Sequence, residues 1–399
     1  MAKEKNINKK SCSIVIGLGF GDEGKGSVTD FLCHGFLYEE HSKPWDFEVN
    51  KIKPPLVIRY NGGHQVGHTV FLENGLNHVH SNFGSGSLRG IPTYWSKYCT
   101  VDPMAILREY AVLKNKVDNI CLYLNPFCPV VTPYDILYNR IKNDKNHNGS
   151  VGVGFGTCIS RHETKYKLHV IDLLYPNIVK TKIKLIKERY YTQFVNDKKL
   201  RTIDINKFLD KLEDFRELVS KGYININSLD KIKGKYQNYI FEGAQGIMLD
   251  QNFGYSPHIT RSNSTTLNAI KIIIENDLPI PDYYYVTRAY QTRHGNGPLL
   301  SDECDYDIKI NPLETNVLNY QGTFRRAKLN VEQVEYAINI NKHQNPNRGN
   351  MNIVITCLDH VNDYRPIKDL LNRFDFNNIY ISKSNVGSRI SKIENFIEL

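Results

Sequence analysis

Short apolar runs recur along the chain at residues 13–17, 56–60, 120–124, 238–241, 283–286 and 352–356, and turn-forming Gly, Asn or Asp residues lie close by. Runs of four or five residues rich in β-branched and aromatic side chains have the length and make-up of buried strands. Between them, residues 104–114 and 331–341 place apolar side chains at helical spacing. Strands alternating with helices predict an α/β fold with a large, mostly parallel central sheet flanked by helices, of the P-loop-NTPase kind. In such sheets ligands bind beyond the carboxyl ends of the strands, and the polar motifs of this chain follow its apolar runs. Residues 174–236 differ, being rich in Lys, Asp, Leu and Tyr with helical spacing across 178–196 and 205–220, which predicts a mostly helical insertion beside the sheet. Residues 39–55, with Pro44, Trp45, Pro54 and Pro55, and residues 142–149 read as surface loops. There is no internal repeat, so residues 1–399 are expected to form one domain carrying that insertion.

Composition narrows the partners. No apolar run approaches the roughly 20 residues that span a bilayer, and Met1–Asn6 is charged without a signal core, so a cytoplasmic protein without membrane contact is expected. The eight cysteines, Cys12, Cys33, Cys99, Cys121, Cys128, Cys158, Cys304 and Cys357, form no CxxC pair, which argues against a zinc site or a disulfide framework. The formal charge of +9 suits anionic partners, but the lysines are dispersed through Asn/Lys/Ile-rich stretches with no basic arm, so no nucleic-acid partner is expected.

The chemistry begins at Gly19-Phe20-Gly21-Asp22-Glu23-Gly24-Lys25-Gly26-Ser27, between the first apolar run and a helix start at Val28–Leu32. Strand, glycine-rich turn and helix is the context in which backbone N–H groups and a helix N-terminus bind phosphate. The spacing from Gly19 to Gly24-Lys25 imitates a Walker A loop, with Gly26 at the Ser/Thr position. Asp22 and Glu23 would repel a nucleotide unless a metal or a proton-transfer role uses them; the plain alternative is a tight βα turn. Next, Asn61–Thr69 sets two histidines among glycines, and His68 is either a proton donor or electrophile toward phosphoryl charge, or a structural histidine. In Phe241–Gly246, Gln245 offers an amide that can read a base edge. The hydroxyls of Thr260 and Ser262–Thr266 suit a phosphate or a helix N-cap equally. Tyr290–Pro298 reads as another glycine-rich loop after a strand, and Gln321–Arg326 places Arg325 and Arg326 in a loop suited to clamping carboxylate or phosphate. Asp359, after the run at 352–356, can accept both N1–H and the 2-amino group of guanine.

Taken together and in this order, these motifs resemble the adenylosuccinate synthetase family over nearly the whole chain. The matching signatures are Gly21-Asp22-Glu23-Gly24-Lys25-Gly26, Gly62-Gly63-His64-x-x-Gly67-His68-Thr69, Phe241-Glu242-Gly243-Ala244-Gln245-Gly246, Thr292-Arg293-x-Gly295-x-Gly297-Pro298 and Thr356-x-Leu358-Asp359. The resemblance implies a Mg²⁺- and GTP-dependent ligase that phosphorylates the 6-oxygen of IMP and then displaces phosphate with the amine of L-aspartate. It implies that Asp22 removes the N1 proton and, with the Gly67 carbonyl, ligates Mg²⁺. His68 stabilises the transferring phosphoryl group, and Lys25 contacts the GTP phosphates with Gly21, Glu23, Gly24, Gly26 and Thr69. Asp359, Ser382 and Ser384 meet the guanine. Gln65, Ser150, Val151, Gln245 and Thr260 meet the acceptor nucleotide, and Thr323, Arg325 and Arg326 hold aspartate. Lys165 stands where the family has an arginine that reaches the partner subunit's nucleotide, implying a homodimer.

The chain departs from the family pattern at several positions. Gln65 replaces an asparagine, Gly149–Gly154 a threonine-rich loop, Cys357 a lysine, and Ser382-Lys383-Ser384 a Ser-Thr-Gly turn, while the arginine loop is short. These leave two acceptors open, IMP and another 6-oxopurine nucleotide such as GMP or dGMP. A third reading is a silent nucleotide-binding homologue.

Overall fold

The computed structural model describes residues 10–38, 53–146, 150–193, 203–301, 322–345 and 349–394. Residues 39–52 of the loop expected at 39–55, the segment 147–149, Cys304 and Gln321 lie outside them, and Pro55 already begins a strand. In chain order the strands are β1 (Ser11–Gly17), β2 (Pro55–Arg59), β3 (His68–Phe71), β4 (Asn77–His80), β5 (Thr93–Trp95), β6 (Leu122–Leu124) and β7 (Ile224–Ile226). They continue with β8 (Asn238–Gly246), β9 (Asp282–Arg288), β10 (Tyr290–His294), β11 (Phe324–Lys328), β12 (Met351–Thr356), β13 (Asn378–Ile381) and β14 (Ser391–Ile393). The helices are α1 (Lys25–Tyr38), α2 (Pro103–Leu113), α3 (Pro133–Asn146), α4 (Phe155–His162), α5 (Pro176–Gln193), α6 (Ile205–Ser220), α7 (Leu229–Ile232), α8 (Leu267–Glu275), α9 (Val331–Gln344) and α10 (Arg365–Asn372).

Ten strands form one sheet in the order β14-β13-β12-β9-β1-β8-β2-β5-β6-β7. Every neighbouring pair is parallel except β13–β14. The expected large, mostly parallel sheet flanked by helices is therefore present. Its central strands read as unbroken apolar runs because both faces are covered. Alternate side chains go to opposite layers: Ile14, Ile16, Phe241, Tyr283 and Ile353 pack with α8, α9 and α10 residues such as Ile272, Val334 and Leu370. Val15, Ile240, Val286 and Val354 pack on the other face with Val28 and Leu32 of α1. A third apolar cluster at the β5–β7 end gathers Trp95, Leu122, Leu124, Ile183, Tyr190, Phe208 and Phe215.

Four details differ from the sequence expectations. The segment 174–236 supplies α5 and α6, but it also enters the sheet, since β7 pairs in parallel with β6; three residues are too few for a strand period to register. Residues 142–146 close α3 rather than forming a loop, the exposed Lys142 lying between buried Ile141 and Asn143 as a helix turns successive positions between core and solvent. Helix α1 starts at Lys25 and not at Val28, so the second half of the glycine loop is already its first turn. Residues 290–294 and 324–328, expected in loops, pair as the antiparallel strands β10 and β11; their arginines and polar residues masked the strand pattern.

Candidate active site

Because the sheet is parallel, the loops leaving β1, β2, β8, β9, β12 and β13 all emerge at one edge. A cavity of about 1050 Å³ lies there. Its walls include Gly21, Asp22, Gly24, Lys25, Gly26, Gln65, Gly67, His68, Thr69, Ser150, Val151, Gln245, Thr260, Cys357, Ser382 and Ser384. Of the residues singled out from sequence, Glu23, Lys165, Thr323, Arg325, Arg326 and Asp359 stand apart from that lining.

The glycine-rich loop has an unusual backbone. Gly21 and Gly24 have φ of +104° and +94°, and Asp22 between them sits at φ +60°. A non-glycine residue in the left-handed region costs energy and persists only where its surroundings hold it. Here the Arg288 guanidinium donates to the Asp22 carbonyl, and His294 Nε2 lies 3.2 Å from Asp22 Oδ2. Burial acts to raise the Asp22 carboxyl, but the His294 hydrogen bond and the charges of His294, Arg288 and Lys25 outweigh it and hold the group below its ordinary value. The side chain is 39% exposed, so an ionised carboxylate faces the cavity. Glu23 does the opposite. It is buried, accepts from Gly19 N at 3.0 Å and Gly21 N at 2.7 Å, and pairs with Lys25 Nζ at 2.5 Å. It therefore braces the loop from inside and does not repel a nucleotide.

His68 begins β3, and its Nδ1 lies 2.7 Å from Oε1 of Glu242 on β8. Glu242 is fully buried, accepts from Ser85 N and Ser85 Oγ, and faces Arg59 Nη1 at 4.0 Å. Burial alone would raise its carboxyl, yet His68, Arg59 and Ser85 bring it down to about 2. For His68 burial wins over the attraction of Glu242 and keeps the ring below its ordinary value. The network then assigns a neutral imidazole that donates Nδ1–H to Glu242 and leaves a lone pair on Nε2, which has no partner among the described residues. A phosphoryl anion beside Nε2 would raise its affinity for a proton, producing an imidazolium opposite the charge.

The far wall is amide-rich. Gln65 lines the cavity with both amide atoms buried, and neither these nor Oε1 of Gln245 has a partner among the described residues. Asn61 secures the Gln245 loop, accepting from Ala244 N and donating to Asn263 O, each at 2.8 Å. Ser150 Oγ is bound to Asn139 Oδ1 at 3.1 Å, and Val151 adds a side chain that cannot donate. The hydroxyl run at 262–266 is largely turned inward. The Asp250 carboxylate accepts from Ser264 N and Thr265 N, and Thr266 Oγ1 bonds to Asn341, so these residues fasten α8 and leave Thr260 on the cavity wall.

The arginine pair sits on β11. Arg325 donates to the Gly295 carbonyl at 2.7 Å and the Gly297 carbonyl at 2.6 Å, which holds the loop after β10. Arg326 has a buried Nη1 without a partner among the described residues, and Thr323 is exposed. Asp359 lies on the turn after β12, its side chain 44% exposed and 3.8 Å from His360 Nε2. Lys165 is exposed and lies over the Tyr166 ring at 5.5 Å.

Sequence reasoning missed Arg288, His294 and Glu242 as participants. Arg288 and Glu242 are charged residues toward the carboxyl ends of otherwise apolar parallel strands, which is where a ligand site is expected. That signal was available; the pairing of His294 with Asp22 was not. Among the described residues no helix is long and apolar enough to cross a membrane.

The family model for adenylosuccinate synthetase matches residues 14–376. The adenylosuccinate synthetase of Pasteurella multocida is 28% identical over 299 residues, covering 73% of this chain and 65% of that protein. The chain thus matches just under two thirds of the length of such curated relatives. Fully ligated adenylosuccinate synthetase from Plasmodium falciparum has the same fold, with a TM-score of 0.69 at 17% identity over 96% of this chain and 87% of that one. So has the succinoaminodeoxyadenylate synthetase of cyanophage S-2L, a structure bound to dGMP and dATP, with a TM-score of 0.65 at 16% identity over 96% of this chain and 95% of that one. With the family match running through the phosphate loop, the histidine hairpin and the Glu242–Gln245 strand end, this chain belongs to the adenylosuccinate synthetase family.

Proposed function

We propose that this protein is a GTP-dependent ligase that joins the amino group of L-aspartate to C6 of IMP through a 6-phosphoryl intermediate, releasing adenylosuccinate, GDP and phosphate. The observation that carries this reading is one cavity lined by ionised Asp22, His68 with Nε2 unpartnered, Lys25 and Gln245. Asp22 takes the proton from N1, which makes O6 a nucleophile toward the γ-phosphorus of GTP. His68, backed by Glu242, holds a proton at Nε2 against the charge that builds on the phosphoryl oxygens. Gln245 and Gln65 orient the purine through its edge. The amine of aspartate then adds at C6 and phosphate leaves.

Hard oxygen donors fit Mg²⁺: the Asp22 carboxylate is held ionised, and Gly67 lines the same cavity. Bound there, Mg²⁺ supplies charge neutralisation on the nucleotide phosphates. Asp359, Ser382 and Ser384 follow adjacent strands β12 and β13, which supports guanine at that end of the cavity. Arg326 retains donor capacity for an aspartate carboxylate, whereas Arg325 already holds the Gly295 loop. The active form is a cytoplasmic homodimer in which exposed Lys165 reaches the partner's nucleotide phosphate.

A second acceptor has its own support. Both amide atoms of Gln65 are unpartnered, so its oxygen can accept from a 2-amino group that IMP lacks, and the cyanophage relative was captured with dGMP. Purified protein with Mg²⁺, GTP and aspartate, offered IMP, dIMP, GMP and dGMP in turn, separates these readings through phosphate release and the change in purine absorbance. Turnover with IMP is expected. Turnover with dGMP and none with IMP transfers the acceptor to the second reading, and no turnover with any of the four alongside measurable GTP binding overturns the ligase.

A further inference from the structure

Beneath the β3–β4 hairpin lies a cluster that the ligase chemistry does not use. His78 and His80 occupy alternate positions of β4 and are both buried, and Glu109 of α2 is buried beside them. One ligand-type atom from each of the three lies within 4.8 Å of the others. His78 Nε2 and Glu109 Oε1 are 3.4 Å apart, the spacing of two tetrahedral ligands each about 2.0–2.1 Å from one ion. Both ring nitrogens of His80 are buried without a hydrogen-bond partner among the described residues, although buried polar groups are normally satisfied. Glu109 is oriented by Ser81 N, Asn82 N, Asn82 Nδ2 and Phe83 N, the outer shell that ligating carboxylates carry.

We propose that His78, His80 and Glu109 form a binding site for a zinc-class divalent cation, separate from the Mg²⁺ of nucleotide chemistry. Two imidazoles and one carboxylate suit Zn²⁺, whereas Mg²⁺ prefers an all-oxygen shell. His78, Ser81, Asn82 and Glu109 also line the main cavity, which gives the ion an entrance and leaves room for water as a fourth ligand. His80 is the register partner of His68 across the hairpin. A cation there ties β4, the hairpin partner of the strand that carries His68, to α2 and so steadies that imidazole across the hairpin. The cysteine spacing argues only against a thiolate-held zinc site, and no cysteine takes part in this one.

The probe is Co²⁺, added to chelator-treated full-length protein and followed by visible absorption. Saturation at one Co²⁺ per chain with an intense four-coordinate spectrum is expected, with displacement by Zn²⁺ but not by excess Mg²⁺. His80→Ala and Glu109→Gln, each checked for native circular dichroism, should weaken binding by more than about ten-fold. His80→Cys should retain binding and add a thiolate-to-cobalt charge-transfer band, a signature that a purely structural role cannot produce. Absence of saturable binding by the unaltered protein overturns the site, as does a spectrum unchanged by all three substitutions.

Discussion

A hydroxyl-bearing residue at position 26 would complete a Walker A loop, and the fold forbids it. A Cβ on Gly26 would meet the Cβ of His68 at 2.8 Å and Ser85 Oγ at 3.1 Å, so the phosphate loop and the proposed catalytic histidine touch only because that side chain is missing. Gly26→Ser is therefore expected to displace His68 and lower turnover by about a hundred-fold, the cost of misplacing a catalytic group by roughly 1 Å. Far-UV circular dichroism should remain native, and a variant with normal turnover would show that the contact does not matter. Asp22 poses a different question, since its strained backbone and surrounding cations serve an ionised carboxylate. Asp22→Asn keeps size and hydrogen-bonding capacity but not basicity. Ligation should fall by about 10²–10⁴-fold, as for loss of a general base, with GTP affinity within a few fold by titration; a near-normal rate would remove Asp22 from that role.

At the scale of elements, the site is assembled by strands that end at one edge and by two antiparallel strand pairs that reach over it. The β3–β4 hairpin delivers His68 to Glu242 on β8, and β10, paired antiparallel with β11, delivers His294 to Asp22. Helix α5, whose Arg189 and Tyr190 reach the cavity wall, and helix α6 pack at the β5–β7 end of the sheet, where Phe215 of α6 is fully buried among Leu212, Phe208 and Ile224. Phe215→Ala should cost about 3–5 kcal/mol of stability through lost burial and a residual cavity. The KM for nucleotide should stay unchanged at temperatures where the variant is folded. Denaturant unfolding and steady-state kinetics together check this, and a large rise in KM would show that α6 shapes the site as well as α5.

The whole molecule carries a pH dependence written in its buried groups. His162 Nε2 accepts the backbone N–H of Leu168 at 3.3 Å, a bond only the neutral ring can make. Burial and the nearby Arg161, His169 and Lys167 bring His162 from 6.5 down to about 2, so below about pH 6.5 the unfolded chain takes up a proton that the folded one refuses. Glu242, brought from 4.5 to about 2, adds the same sign lower down, because the folded carboxylate stays ionised while the unfolded one protonates. Stability should thus fall on acidification, by about 1.4 kcal/mol per pH unit for each such group within its window. His162→Gln should flatten the slope between pH 6.5 and 4.5 in urea unfolding, and an unaltered slope would count against the neutral buried ring. The sequence by itself determined the class of fold, because a parallel sheet covered on both faces must be written as apolar strands, and it determined the glycine-rich turn after β1, because tight turns demand glycine. It also carried His68 and Gln245 in ordered motifs whose spacing along the chain is chemistry-bearing. Tertiary structure alone decided that Glu23 turns inward while Asp22 faces the cavity, that Arg325 is spent on loop carbonyls, and that His294, 272 residues from Asp22 by the numbering, is its partner. The reason is physical: local patterns report which face of a strand or turn is buried, but charge pairing at the sheet edge depends on which strands become neighbours, and strand order is set only when the whole sheet closes.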